Sequence, residues 1–253
     1  MLKKFLEKFL FQPDKAFLVG VERECFLADD HGRIVPIAKK VLNHLSISER
    51  FGYELSACQL EDRVGPCRLD CVKTELEKNE AKVRRAEIDL GFSRRFTEVA
   101  PDNMPLDVYP DPTGRYQEIV KDMPHDILLA ACRVTGIHVH IGMPDHMTAL
   151  RVYNKAVQYT EWLCEIGNGS GGKRLEIYKT MAPKFNPLLY NSWEDFYNVA
   201  IAEGFAYDLR KCWHLIRLSR HGTIEFRMFG STHDLDKITS WAKECHGICL
   251  RGE

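Results

Sequence analysis

GVERECFL, from Gly20 to Leu27, is the stretch on which the fold turns. It has the valine, cysteine, phenylalanine and leucine of a buried strand, yet Glu22 and Glu24 stand where such a strand wants apolar residues. Successive side chains of a strand point to opposite faces, and residues i and i+2 lie roughly 7 Å apart on the same one. Glu22, Glu24 and Phe26 therefore share a face, and Val21, Arg23, Cys25 and Leu27 share the other. Two later stretches repeat the pattern. In GIHVHIG (Gly136 to Gly142), His138 and His140 lie opposite Ile137, Val139 and Ile141. In GTIEFRMFG (Gly222 to Gly230), Glu225 and Arg227 lie opposite Ile224, Phe226 and Met228.

On any one strand, a polar face reads as the solvent side of a one-sided sheet. The residue types argue for chemistry instead, because a solvated face draws Lys, Thr, Ser and Gln rather than carboxylate and imidazole. Carboxylates two residues apart repel unless a positive charge sits between them. Mg²⁺ supplies one, taking one or two carboxylates together with phosphate oxygens. Imidazole is less usual for Mg²⁺ and suits Mn²⁺ as well. YELSACQLED (Tyr53 to Asp62) adds Glu54, Gln59 and Glu61. Gln59 and Glu61 share a face by parity, whereas Glu54 falls on the other unless a bulge intervenes.

The remaining composition excludes several functions. Thirty-five Lys and Arg against 36 Asp and Glu leave no basic field for nucleic acid and no acidic tail. The N-terminal MLKKFLEKFLFQP reads as a short amphipathic surface helix rather than a signal peptide. No run approaches the ~18 apolar residues of a membrane span. Nine scattered cysteines without a C-x-x-C pair fit reduced thiols in a cytoplasmic protein. The i,i+4 pairs Cys67/Cys71 and Cys245/Cys249 could form a metal clip on a helix, but no matching ligand pairs accompany them, so they read as packing residues.

Strand-like runs are Ala16–Ala28, Tyr53–Val64, Phe96–Ala100, Ile127–Gly142, Trp213–Ser219 and Thr223–Phe229. The last two are joined by Ser219-Arg220-His221-Gly222, a hairpin turn with a glycine free to take positive φ. Helical periodicity marks Cys71–Gly91, His146–Gly167, Trp193–Gly204 and Leu235–Leu250. Gly91 stops the first of these helices, and Ser192 followed by Asp195 opens the third as a capping box. Strands and helices mix without strict alternation, which points to an α+β fold with a largely antiparallel sheet.

GVERE, ELSACQLED, GIHVHIGMPD and WHLIRLSRHGTIEFRMF occur in the order of the motifs of the glutamate–cysteine ligase superfamily. Arg115-Tyr116 and FNPLLYNSWEDF match in character, so the resemblance covers about residue 16 to residue 230. It is closest to the carboxylate–amine ligase branch. The resemblance implies a glutamine-synthetase-like fold, with a curved antiparallel sheet, flanked by helices, forming a funnel for ATP, Mg²⁺ and substrate. It implies an ATP-dependent ligase that joins a carboxylate to an amine through an acyl phosphate; in the best-known members the acid is the γ-carboxylate of glutamate. Carried over by motif position, Glu22, Glu24, Glu54, Glu61, His138 and Glu225 would be metal ligands, and Arg227 would contact the transferring phosphate. Arg217 would clamp a carboxylate or phosphate, Arg220 is a further phosphate candidate from the turn, and His140 is either a ligand or a partner of one.

The match fails in two places. Family members continue with further helix beyond the E-x-R strand, so residues 1–253 read as one catalytic domain shortened at its C-terminus. The loop GNGSGGKRLEIYKTMAPKFNP (Gly167 to Pro187) departs from the family pattern. It nearly spells a P-loop, but Arg174 replaces the Ser or Thr and a helix precedes it; a flexible lid carrying Lys173 and Arg174 near anions is the better reading. Two other functions stay open: a non-catalytic nucleotide- or metabolite-binding relative, and a metal-dependent hydrolase built on the His-x-His strand. The expected partners are small amino acids or amines, with no nucleic acid and no membrane, and a homodimer is compatible with the sequence.

Overall fold

The structure is a computed structural model and describes residues 1–46 and 49–252. Its centre is an open seven-stranded sheet. The strands are β1 (Val19–Ala28), β2 (Phe51–Tyr53), β3 (Gln59–Cys67), β4 (Ser93–Arg95), β5 (Gly136–Gly142), β6 (Ile216–Leu218) and β7 (Thr223–Gly230). The order across the sheet is β2-β3-β1-β5-β7-β6, with β4 against the end of β1, and every pairing is antiparallel. The α+β, antiparallel expectation holds.

The helices are α1 (Leu2–Leu6), α2 (Ala38–Leu45), α3 (Val72–Leu90), α4 (Arg115–Val120), α5 (His125–Arg133), α6 (His146–Val157), α7 (Thr160–Ile166), α8 (Lys173–Met181), α9 (Trp193–Glu203) and α10 (Leu235–Arg251). Among the described residues, no helix is long and apolar enough to cross a membrane. The apolar strand faces behave as parity requires. Val21, Val139, Ile224 and Phe226 are buried in one core with Ile238 and Trp241 of α10 and Val152 of α6, while Cys25, Leu27 and Leu60 pack under α2 and α3. Phe5 and Phe9, on and just after α1, are buried against Trp193 and Phe196, so the N-terminal segment seals one edge of the larger core.

The terminators work as their chemistry dictates. Gly91 takes φ 68° and its N–H returns to the Glu87 carbonyl, closing α3. Ser192 Oγ accepts from the Asp195 N–H at 3.1 Å and caps α9. Gly222 (φ 69°) turns the β6–β7 hairpin where a Cβ would lie 2.4 Å from the Leu10 carbonyl oxygen.

Four expected elements are redrawn. Ile127–Gly142 is not one strand: HDILLAACR forms α5 after Pro124, and β5 starts at Gly136. Ile127–Cys132 is a short apolar run, which periodicity cannot divide between helix and strand. Phe96–Ala100 is an irregular segment held by a single bridge from Val99 to Val134, and the strand in that region is β4. Tyr53–Val64 is interrupted at residues 54–58. His146–Gly167 breaks into α6 and α7, where Thr160 Oγ1 donates to the Val157 carbonyl at 2.7 Å.

Candidate functional site

The register turns the parity argument into a row. Glu24 of β1 pairs with Glu61 of β3, and Glu22 pairs with Arg63 on one side and His138 of β5 on the other. His140 pairs with Glu225 of β7, which pairs with Arg217 of β6. A bulge lies in the β5–β7 pairing, where Ile137 opposes Phe229 but Val139 opposes Phe226. The extra residue falls beside Arg227 and returns Phe229 to the apolar side, where its ring stacks on Trp241 at 4.9 Å.

Two groups of candidate ligands result, each with its donor atoms within 4.8 Å of one another: Glu22, His138 and Glu225; and Glu24, Glu54 and Glu61. His138 Nδ1 lies 3.1 Å from Glu22 Oε2, and its Nε2 lies 3.7 Å from Glu24 Oε1, so this imidazole touches both groups. His140 Nε2 is 3.5 Å from Glu22, and its Nδ1 is 2.9 Å from Thr223 Oγ1. Glu24 Oε2 accepts the Gly136 N–H at 2.7 Å. Glu54 reaches the face without a bulge. Residues 54–58 are a loop pinned by Tyr109 N–H to the Leu55 carbonyl and by Ala57 N–H to the Asp107 carbonyl, so strand parity does not govern it.

The two groups differ in charge compensation. Arg217 clamps Glu225 with two bonds, of 2.7 and 2.9 Å, and Arg227 donates to the same carboxylate. Burial alone would raise Glu225, but these two guanidiniums outweigh it and hold the carboxyl far down. Glu22 is likewise held well below its usual range, since His140 and His138 overcome the effect of burial. The second group goes the other way. Glu54 is pushed up to about 8 by burial and then by Glu24, and Glu61 is driven well above its usual range by burial, Glu22 and Glu54. Arg63 is the guanidinium hydrogen-bonded to that group, its Nε donating to Glu61 Oε1, while the buried Arg174 acts on Glu24 only through its field. A group of three carboxylates this under-compensated has the charge and the oxygen donors that a hard divalent cation requires.

Beside the row opens a cleft of about 780 Å³ whose lining includes Glu22, His140, Glu225, Arg217, Arg220, Arg63, Arg210 and Lys15. Arg220 thus faces the site from its turn. The two loop cations do not. Arg174 is buried in the first turn of α8, and its guanidinium bonds the carbonyls of Thr135, Met228 and Arg227 at 2.9–3.2 Å. It ties the ends of β5 and β7 together and is not an anion-binding lid residue. Lys173 lines a separate pocket with Glu98 and Lys237. The amides of the near P-loop are also engaged: Gly169 N–H donates to Glu98 and Gly172 N–H to Asn168, so no phosphate cradle forms there. Gln59 spends its amide on the Cys132 and Val134 carbonyls. Arg23, on the back of β1, is fully buried and paired with Asp62 and Glu80 at 2.9 Å.

Residues passed over in the sequence are Arg63, Thr223, Arg210 and Lys15. Arg63 carried a signal, since it shares a strand face with Glu61; Lys15 and Arg210 lie in single 3₁₀ turns, Pro13–Lys15 and Leu209–Lys211, which strand parity cannot place.

No family model matches the chain. Curated relatives named "Putative glutamate--cysteine ligase 2" are 25% identical over 248 residues in Gloeobacter violaceus and 24% identical over 260 residues in Solibacter usitatus. These alignments cover 90% and 92% of this chain but 66% and 65% of the relatives, so the chain spans just under two thirds of their length. The crystal structure of a bifunctional glutathione synthetase from Pasteurella multocida superposes with a TM-score of 0.68 at 15% identity, over 94% of this chain and 39% of that one, a likeness of fold. With four motifs in order, a shared fold and relatives along nine-tenths of its length, the chain is similar to the glutamate–cysteine ligase superfamily in its carboxylate–amine ligase branch and has a glutamine-synthetase-like fold.

Proposed function

We propose that this chain is an ATP-dependent carboxylate–amine ligase whose active site is the polar face of the sheet. The observation that carries the reading is the row of carboxylates flanked by a basic cleft, with one three-carboxylate group left nearly uncompensated. Glu24, Glu54 and Glu61 would hold one Mg²⁺ or Mn²⁺, and Glu22, His138 and Glu225 a second. When bound, these cations would neutralise the phosphate oxygens of ATP. The residues fit, with one difference between the groups: Glu225 is already compensated by two arginines, so the first group has the greater need of a cation.

Phosphoryl transfer depends mainly on positioning and charge neutralisation. In this reading, Arg227 and Arg217 sit at the row's end where the transferring phosphate lies, and Arg220 and Lys15 draw the triphosphate into the cleft. An acid substrate's oxygen attacks the γ-phosphorus and ADP departs. The amine nitrogen then attacks the acyl carbon, the carbon–oxygen bond to phosphate breaks, and the nitrogen loses a proton. Glutamate's γ-carboxylate is the first acid to test, given the names of the relatives.

The test is release of ADP and phosphate by the purified chain with Mg²⁺, ATP and a panel of amino acids and amines. Dependence of release on both an acid and an amine is expected. Tight Mg·ATP binding without turnover would favour a non-catalytic nucleotide-binding relative, and metal-dependent hydrolysis without ATP would favour a hydrolase. Glu24→Gln and Arg227→Ala should each lower turnover by about 100-fold or more while the far-ultraviolet circular dichroism stays that of the wild type. Near-full activity in either variant would remove that residue from the site.

A further inference from the structure

Arg63 differs from the other arginines of the row. Arg217 and Arg227 both converge on Glu225, and Arg217 is further tied to the Cys212 carbonyl at 2.7 Å. Arg63 is held by much less. Its Nε donates to Glu61, and its guanidinium lies across Gly52 of the edge strand β2. A Cβ at Gly52 would stand 2.2 Å from Arg63 Nη2 and 2.7 Å from Cζ, so the glycine is what lets the guanidinium lie there. The Arg63 side chain is 40% exposed while Glu61 beneath it is 4% exposed, and Arg63 also lines the basic cleft. It therefore sits at the boundary between the carboxylate row and the space where phosphates would enter.

We propose that Arg63 is a displaceable counter-ion of the carboxylate row: it neutralises Glu61 while the face carries no divalent cation, and turns into the cleft to take a phosphate oxygen when a cation replaces it. The first half follows from charge and contact. Arg63 carries its charge at any working pH and sets it directly on Glu61, which is buried beneath it beside Glu24 and Glu54. A cation entering the Glu24, Glu54 and Glu61 group meets that unit of like charge at ion-pair range, an opposition large enough to weaken cation binding by at least about tenfold. The exposed side chain has somewhere to go, and its planar fork suits a phosphate oxygen. The second half of the proposal rests on the ligase reading; the first does not.

The experiment is calorimetric titration of the full chain with Mg²⁺ alone and with the Mg²⁺ complex of a non-hydrolysable ATP analogue, for the wild type, Arg63→Met and Gly52→Ala. Gly52 has no positive φ, so alanine fits its backbone and acts by pushing the guanidinium aside while leaving every charge in place. Both variants should bind Mg²⁺ alone about tenfold more tightly than the wild type. Arg63→Met should also bind the nucleotide complex about tenfold more weakly, whereas Gly52→Ala should bind it at least as well as the wild type. Opposite signs in the two titrations are something a merely structural arginine would not produce. Unchanged or weaker Mg²⁺ binding in Gly52→Ala overturns the proposal even if Arg63→Met fails to fold. An ATP analogue that never binds, with Mg²⁺ binding tightened as stated, would leave Arg63 as a counter-ion and count instead against the ligase reading.

Discussion

Replacing Glu54 by glutamine should make the cation-free protein more stable, by an amount that grows as pH rises from about 4.5 to about 8. Glu54 is pushed from an ordinary 4.5 up to about 8, by burial first and by the charge of Glu24 next. A carboxyl raised in the native state contributes fully below its unfolded pKa and loses that contribution as pH rises through the native value. Wild type and Glu54→Gln should therefore match below about pH 4.5, diverge as pH rises from there to about 8, and keep a constant gap above that. At 1.36 kcal/mol per pKa unit, a shift of this span acting alone amounts to roughly 4–5 kcal/mol. Glu61, hydrogen-bonded to Glu54 and itself raised, shares the proton, which lowers the expected gain to about 3 kcal/mol, or roughly 6–12 °C in Tm for a chain of this size. The assay is thermal unfolding with EDTA and with excess Mg²⁺, at pH 5 and pH 8.5. In EDTA at pH 8.5 the variant should melt higher. Adding Mg²⁺ should raise the wild type more than the variant, because the cation supplies the positive charge that the glutamine no longer needs. A variant no more stable than the wild type in EDTA at pH 8.5 would refute the view that these carboxylates repel one another in the folded chain.

Two further substitutions test the scaffold. Arg23→Met should cost about 3–5 kcal/mol in urea unfolding, because it leaves Asp62 buried against the back of the sheet without its cation; a loss under 1 kcal/mol would show that the pair is dispensable. Gly136→Ala should lower Tm and loosen the ends of β5 and β7, since its Cβ would lie 2.3 Å from Arg174 Nη2 and 2.9 Å from the Phe229 carbonyl oxygen; an unchanged melting curve would mean that Arg174 does not clamp those strands.

The reach of the sequence can be seen residue by residue. Glu22, Glu24, His138 and Glu225 were legible because they sit inside regular strands, where parity is a local rule. Arg63 was equally local but drew no notice, since an arginine beside an acidic residue is ordinary on a solvated face. Glu54 obeyed no such rule: its place on the row comes from a loop fastened to Tyr109 and Asp107, far along the chain. Arg174 looked like a lid residue because burial is invisible in a loop-like sequence, and its carbonyl partners belong to strands that come before and after it. The boundary between α5 and β5 was missed because a short apolar run satisfies both periods.

By itself, the sequence determined which side chains face together within each strand, where the helices α3 and α9 are capped, and that the sheet has one apolar and one charged side. These depend on backbone geometry over a few residues. Only the tertiary structure decided which strands are neighbours, and so that Glu24 meets Glu61, that His140 meets Glu225, and that two arginines bond Glu225 while Arg63 bonds Glu61 in the other group. Charge compensation is a sum over distances, and distances between residues far apart in sequence exist only once the chain has folded.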